Sequence, residues 1–446
     1  MSNNQFISFI DEMQQKFTCT FKAFNPLGFA TAMLLFVLKP KIVHQPCRLC
    51  GCPITYYHGR RVRRIHGGTA LGVPIFLEMD QVRRKCKRCR KTFVQIYEHL
   101  PSGRSMTTET ENYILWFLGS TPMILIAKSI GVSVQTIANR AIKFGESEMK
   151  TMLEGHYKYL SMDEVFIGRD KEDNKHVIYW VLNDISTPWK ANNIILDIGR
   201  TKDNVSKHLM SLKHRDKVEA VCIDMWEGYK EAVVSALPNA DIVVDRFHVV
   251  QLAEKRMNNV RKQSKVPREV KADIKKDAEL FLKSFYLLDY AELERLENYL
   301  KMDPELENMY YILQDLLEFY NIRGYDAALE YLCQWESRVI KFGVNEALLL
   351  YETIYEWLPY IMNYFTYRIT NGKTEGKNNL IRQIDRMGFH YGLSCMRGCL
   401  YAHDRRQEYE KWKRYQKRVE KAKGKPRKIR IRKAGSLSNE SVEPAA

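Results

Sequence analysis

Long apolar runs are scarce in this 446-residue chain. The longest, residues 27–38 (LGFATAMLLFVL), falls short of the ~20 residues needed to span a bilayer, which argues against a membrane span and leaves a buried or partner-facing helix as its reading. Cysteine is also thin on the ground. Ten in a chain of this size are too few for a disulfide scaffold. The opening residues, MSNNQFISFIDEMQQ, offer no basic stretch followed by a small-residue cleavage site, so a secretory signal is not expected and the cytoplasm is the assigned compartment. Acidic residues are in deficit: 53 Asp and Glu face 70 Lys and Arg, a net charge of +17. A surplus of that size attracts polyanions through its summed field, and nucleic acid is the leading partner, with no membrane. What is present is an ordinary globular composition, 45% hydrophobic and 28% charged, which excludes disorder over most of the length.

The charge is concentrated in two places. Residues 60–91 hold eleven Lys and Arg against two acidic residues, and residues 404–433 hold fifteen against four. The order of patterns predicts five regions. Residues 1–40 read as a helical N-terminal segment, 41–100 as a Cys- and Arg-rich layer of small strands, and 104–150 as helices. Residues 157–403 read as an α/β domain interrupted by a helical insertion over about 250–368, and 404–446 as a basic tail. Within the α/β domain, YLSMDEVFI, HVIYWVLNDI, NIILDIG, VEAVCID and ADIVVDRF are rich in β-branched and aromatic residues, with helical stretches at residues 202–212 and in EGYKEAVVSAL. That succession predicts a mixed sheet with helices packed on it.

Cys47, Cys50, Cys86 and Cys89 form two CxxC pairs. Such a turn lets both sulfurs reach one tetrahedral ion, so four thiolates predict a closed structural zinc site. The interval between pairs exceeds the ~15–20 residues of the usual pattern, which calls for a hairpin layer between them. Cys52, His58 and His66 are alternative ligands, and inert buried cysteines or a redox pair are the competing readings. The flanking RRVRR and RRKCKRCRKTF suit a ribbon that grips DNA.

ILIAKSI, Gly131-Val132-Ser133 and VQTIANRAIKF read as helix, turn and helix. Gly131 supplies the C-cap, Ser133 the next N-cap, and Ile126, Ala127, Ile130, Val132, Ile137 and Ala141 a shared core. Gln135, Thr136, Asn139, Arg140 and Lys143 then face outward, as a helix in a major groove requires. An ordinary helical hairpin would show the same pattern.

Asp163 lies in one candidate strand and Asp224 at the end of another, so neighbouring strands would let them share divalent cations, with Mg²⁺ favoured by oxygen ligands. Asp184, Asp197 and Asp245 compete for that role. The strings SMDEVFIG, VCIDMWEGYKEAV, VVDRFHVVQL and ITNGKTEGKNNLIRQIDRMGFHYGL resemble the successive motifs of the ISL-three family of insertion-sequence transposases, in the DDE superfamily. The resemblance runs over nearly the whole chain, because that family carries a Cys-rich segment and a helix-turn-helix in the same order. It implies a ribonuclease H-like catalytic core preceded by a zinc ribbon-like domain and a helix-turn-helix domain.

Carried over by position, the resemblance makes Asp163, Asp224 and Glu375 the catalytic carboxylates, holding two Mg²⁺ per active site. Glu164 competes with Asp163, since alternation sends neighbours on a strand to opposite faces. Asp245 and His248 are expected either to support the metal site or to fix the turn before the next helix. Lys373, Lys377 and Arg382 are candidate phosphate contacts, with a solvated basic face as the plainer reading. The implied activity is binding of the terminal inverted repeats of an insertion sequence, cleavage at its ends, and transfer of the 3′-hydroxyls to target DNA. The partner is double-stranded DNA, with a homo-oligomer on it. A DNA-binding regulator without chemistry, and a nuclease that cuts without joining, are the alternatives.

Overall fold

A computed structural model describes residues 17–24, 33–41, 44–70, 73–97, 100, 105–169, 176–187, 191–388 and 390–423. The first of its two sheets contains β1 (Phe17–Phe24), β2 (Met33–Pro40), β3 (Thr55–Ala70), β4 (Val73–Cys86) and β5 (Thr92–Val94). Their order is β1-β2-β4-β3, with β5 against the end of β4. β3 and β4 form the hairpin expected between the two cysteine pairs, although its strands are long, at 16 and 14 residues. Phe17, Leu38, Ile65, Leu77, Met79, Tyr97 and Leu100 fill its core.

β1 and β2 correct the expectation of a helical segment over residues 1–40. The described end of the apolar run lies alongside β4 in parallel register, with Leu34 opposite Ile75 and Leu38 opposite Met79. A short, uniformly apolar run suits a strand held between two neighbours as well as it suits a buried helix, and periodicity does not separate them. Residues 1–16 and 25–32 of that segment lie outside the described residues.

Three helices follow: α1 (Thr108–Phe117), α2 (Met123–Ile130) and α3 (Val134–Leu153). Gly131 adopts a left-handed φ of 71°, and the Ser133 hydroxyl accepts from the Thr136 N–H at 3.2 Å, as their sequence positions predict. Ile126, Ala127, Ile130, Ile137 and Ala141 are buried, while Val132 is half-buried. The helices dock on the hairpin. The His66 ring reaches the Ile130 carbonyl at 3.2 Å, and the Thr107 N–H donates to the His66 carbonyl at 3.0 Å.

The second sheet contains β6 (Tyr159–Arg169), β7 (His176–Asp184), β8 (Asn192–Ile198), β9 (Ala220–Ile223) and β10 (Asp241–Val244), in the order β10-β9-β6-β7-β8. β6, β7 and β8 are antiparallel, whereas β9 and β10 run parallel to β6. β9 is buried along its whole length, in keeping with its place between two parallel neighbours. α4 (Lys202–Met210) and α5 (Glu227–Ala236) cover one face, through Val205, Leu209, Ala232 and Val233. The other face packs on α13 (Gly372–Met387) through Ile381 and Ile384, and on the start of the last helix through Met396 and Leu400.

Between β10 and α13 stands the expected helical insertion: α6 (Arg246–Gln263), α7 (Arg268–Lys276), α8 (Tyr290–Leu300), α9 (Pro304–Phe319), α10 (Tyr325–Phe342), α11 (Asn345–Glu356) and α12 (Leu358–Tyr367). The last helix, α14, spans Leu393–Lys423. Residues 404–446 form a unit of their own. Its described part is helical to Lys423, and the acidic and small-residue end of the tail lies outside the described residues.

Candidate active site

Strand alternation sorts the two neighbouring carboxylates of β6. Leu160 and Met162 join the core under α4 and α5, while Val165 and Ile167 join the core against α13, so Asp163 belongs to the α13 side and Glu164 to the other. Asp163 Oδ2 accepts from Asn378 Nδ2 at 2.7 Å, and its Oδ1 accepts from the Glu164 N–H at 2.8 Å. Glu164 is tied elsewhere. Its Oε1 accepts from Arg200 at 2.5 Å and from the Tyr229 hydroxyl at 3.4 Å, and the Arg200 guanidinium lies 5.0 Å from the Trp226 ring centre.

Asp224 emerges from the end of β9, where its Oδ1 lies 2.7 Å from His248 Nε2 and 3.4 Å from Asn371 Nδ2. The ligand atoms of Asp163, Asp224 and His248 lie within 4.8 Å of one another. Asp245, just before α6, is buried and accepts the Asn371 N–H at 3.2 Å, which fixes the entry to α13. Burial, reinforced by the charge of Asp224, pushes the Asp163 carboxyl up to about 7. Burial opposes the charged form of His248, but its bond to Asp224 and the other acidic neighbours raise it overall. The cluster therefore carries more negative charge than its own cations relieve, and its donor set fits a divalent ion.

Glu375 stands in the first turn of α13, exposed, on the wall of the cavity of about 640 Å³ that Asp163, Asp224, Asp245 and His248 also line. It lies outside the set of three whose ligand atoms share the 4.8 Å limit. Asn371, Asn378 and Arg382 line the same cavity, following the helical repeat from Glu375. Lys373 and Lys377 correct the expectation of phosphate contacts. Offset by two residues from Glu375, they point to another side of the helix: Lys373 Nζ donates to the carbonyls of Ile185 (3.1 Å) and Thr187 (2.6 Å), and Lys377 is buried. Asp184 and Asp197 are likewise engaged away from the cluster, the first with Ser186 and the second with His208 and Arg397.

Residues 160–394, more than half of the chain, match the family model for DDE transposases of the ISL3 type, described as Transposase. The chain belongs to the ISL3 family of DDE transposases. The match takes in Asp163, Asp224 and Glu375. The transposase for insertion sequence element IS1001 of Bordetella parapertussis is 21% identical over 365 residues, which cover 80% of this chain and 88% of the relative. Among solved structures, the Drosophila P element transposase strand transfer complex aligns with a TM-score of 0.37 and 13% identity, over 66% of this chain and 90% of that one.

The transposase also brings its four paired cysteines together. Cys47 and Cys89 sulfurs lie 3.6 Å apart, as do those of Cys50 and Cys86. A tetrahedral ion with sulfur at ~2.3 Å requires sulfur–sulfur separations of about 3.8 Å, so the set fits zinc. Burial disfavours the Cys86 thiolate, yet the Cys89 N–H and the neighbouring thiols hold its pKa down at about 6. Cys52 and His66 are engaged with backbone carbonyls of Ile54 and Ile130. On α3, Gln135, Asn139 and Lys143 are exposed, whereas Thr136 serves the cap and Arg140 pairs with Glu111 at 2.9 Å.

Sequence reasoning passed over a buried polar chain in the transposase. Ser161 of β6 bonds Thr374 of α13, Asn183 of β7 bonds the same hydroxyl at 3.3 Å, and Asn193 of β8 bonds Asn183 at 3.1 Å. This chain pins the helix that carries Glu375 across three strands. Its signal was present as single polar residues inside apolar strand runs. No helix among the described residues is long and apolar enough to cross a membrane.

Proposed function

We propose that this transposase binds the terminal inverted repeats of an insertion sequence, cleaves the DNA at its ends and transfers the 3′-hydroxyls to target DNA, acting as a homo-oligomer on double-stranded DNA in the bacterial cytoplasm. The observation that carries the reading is the meeting of Asp163 and Asp224 from adjacent parallel strands in a cavity also lined by Glu375. We read the sheet and its helices as a ribonuclease H-like core, and the three carboxylates as catalytic. They would hold two Mg²⁺, which supply Lewis-acid activation of the attacking oxygen and stabilisation of the leaving oxygen.

The chain's own residues prepare the site. Asn378 fixes the rotamer of Asp163, His248 and Asn371 fix that of Asp224, and the Arg200–Glu164–Tyr229 contact keeps the neighbouring carboxylate out of the cluster. Arg382, on the cavity wall, is placed to meet a DNA phosphate. Because no protein nucleophile is needed, one site serves hydrolysis and strand transfer, with only the attacking oxygen changed.

We infer that Cys47, Cys50, Cys86 and Cys89 hold structural zinc and stiffen an Arg-rich hairpin that grips DNA, and that α3 presents Gln135, Asn139 and Lys143, with Thr136 and Arg140 at its margin, to a major groove. The basic residues of the 404–446 unit add sequence-independent affinity that falls as salt rises. Incubation of the purified chain with element-end and target DNA in Mg²⁺ tests the reading. Joined products are expected; cleavage without joining reduces it to a nuclease, and binding without chemistry to a regulator.

A further inference from the structure

We propose that Glu164, Arg200, Trp226 and Tyr229 form a brace that sets the position of Asp224 relative to Asp163, and with it the affinity of the site for divalent ions. The proposal rests on the metal-holding reading above and adds positioning residues to the same site. Its starting point is where the four side chains leave the backbone. Glu164 follows Asp163 directly on β6, and Trp226 stands two residues after Asp224 in the turn from β9 to α5. Arg200 comes from the turn between β8 and α4, and Tyr229 from the first turn of α5.

These four side chains close into a ring. Arg200 Nη1 and the Tyr229 hydroxyl both donate to Glu164 Oε1, at 2.5 and 3.4 Å. The guanidinium lies 5.0 Å from the Trp226 ring centre, and Trp226 meets the Tyr229 ring edge-on at 4.7 Å. The Trp226 ring also lies against Gly228, where a Cβ would come within 2.3 Å of it, so the glycine leaves the room that the ring occupies. Both ends of the ring are anchored. Asn204 donates to the carbonyls of Ile198 (3.1 Å) and Gly199 (3.0 Å), which holds the turn carrying Arg200, and Tyr229 is fully buried.

Asp224 stands where such a brace acts. The Trp226 N–H donates to the Asp224 carbonyl at 2.7 Å, so the backbone of the carboxylate and that of the ring belong to one tight turn. His248 and Asn371 grip the Asp224 carboxylate, and the brace grips the chain two residues on. Packing alone does not account for it. Glu164, its side chain 10% exposed, adds a carboxylate beside a cluster that is already acidic, and an apolar side chain would usually fill such a place at no loss of stability. What the ion pair supplies is direction: a planar guanidinium that is both paired and stacked fixes the plane of the ring beneath it. Contacts one step removed from metal ligands orient those ligands in this way. Arg200 also lies within electrostatic reach of Asp224. By charge alone, its removal would draw a cation more tightly; by loss of the brace, it would do the reverse.

The test uses the full chain without DNA and Mn²⁺ as the probe ion. Two quantities are read: hydrogen exchange over residues 222–230 in the metal-free protein, and Mn²⁺ affinity by calorimetry, assigned to this site by its loss in Asp224→Asn. Arg200→Ala and Trp226→Leu should each speed exchange in that segment, leave the rest of the second sheet as in the parent, and weaken Mn²⁺ binding about tenfold. Trp226→Phe keeps a stacking face and should restore most of both. Tighter or unchanged Mn²⁺ binding in Arg200→Ala, unchanged exchange in either variant, or faster exchange throughout the sheet overturns the proposal. If the parent itself binds no Mn²⁺ here, the metal-holding reading falls, and the brace stands or falls on the exchange alone.

Discussion

Asn378 Nδ2 donates to Asp163 Oδ2 across 2.7 Å, joining a helix and a strand whose residues are 215 positions apart in the chain. Asn378 is 2% exposed, so the bond is shielded from water and ends on a carboxylate. Hydrogen bonds to charged groups contribute about 1.5–3 kcal/mol. If that bond holds Asp163 in its working rotamer, Asn378→Ala should slow DNA cleavage by roughly ten- to a hundredfold, since each ~1.4 kcal/mol is a factor of ten. Binding of element ends, measured by mobility shift, should not change. A variant that cleaves at the parental rate would show that Asp163 is positioned without it.

Asp224 sits at the junction of His248 and Asn371, so its replacement separates binding from chemistry. Asp224→Asn keeps the shape and removes the charge. The expected outcome of the proposed role is unaltered end binding and loss of cleavage by at least a thousandfold, because a charged metal ligand would be removed. Equal cleavage by parent and variant would remove Asp224 from the site.

The raised Asp163 carboxyl, at about 7 against an ordinary 3.8, links acidity to stability in the metal-free protein. Below pH 4 the group is protonated whether the chain is folded or not, and it contributes nothing. As the pH rises towards 7 the unfolded chain releases this proton while the folded chain retains it, so stability falls, by up to about 4 kcal/mol at ~1.4 kcal/mol per unit. His248, also raised, works in the same direction, because the stability its bound proton brings is lost as pH rises through its folded value. A divalent cation relieves the same repulsion. Thermal melting should therefore show a larger Mg²⁺-induced gain at pH 8 than at pH 5, and Asp163→Asn should flatten the difference; an equal gain at both pH values would contradict the linkage.

Much of this arrangement was legible from local chemistry. Gly131 and Ser133 announced a turn because only a left-handed residue and a short side-chain acceptor close one helix and open the next, and the structure has both at those positions. The strands of the second sheet were legible as β-branched runs, and the paired cysteines as a cluster. Residues 33–40 were not, because an apolar run records burial and not geometry. Lys373 and Lys377 were misjudged for a related reason. Nearness to Glu375 in sequence says nothing of which side of a helix a residue takes, and two positions along is nearly the opposite side. The chain from Ser161 to Asn193 depends on strand register, which no local signal fixes.

Gly398 tests how closely the helices behind the sheet approach. A Cβ at this position would lie 2.0 Å from the Ala141 carbonyl oxygen, and the neighbouring atoms are backbone that no rotamer change can move. Gly145, where a Cβ would lie 2.9 Å from the Gly398 nitrogen, shows the same closeness from the other helix. Gly398→Ala must push α3 and α14 apart and should cost about 3 kcal/mol, at the upper end for overpacking. Urea unfolding should show a lowered midpoint with little change in slope; an unshifted midpoint would mean that the crossing is looser than described.

Cys86 offers the separation of metal from fold in the hairpin. Its sulfur lies 3.6 Å from that of Cys50 and accepts the Cys89 N–H at 3.4 Å, so it belongs both to the four-cysteine cluster proposed to hold zinc and to the turn that presents it. A serine keeps the size but forfeits thiolate ligation, and three ligands hold zinc far less tightly than four. Cys86→Ser should emerge with less than one equivalent of zinc by elemental analysis and should bind element ends at least tenfold more weakly. The second sheet and its helices have their own core, so the proposed metal-dependent cutting of short nonspecific DNA should persist. A variant with full zinc content would show that Cys86 is not a ligand. One that loses zinc but binds ends normally would place recognition on the helix pair instead of the hairpin.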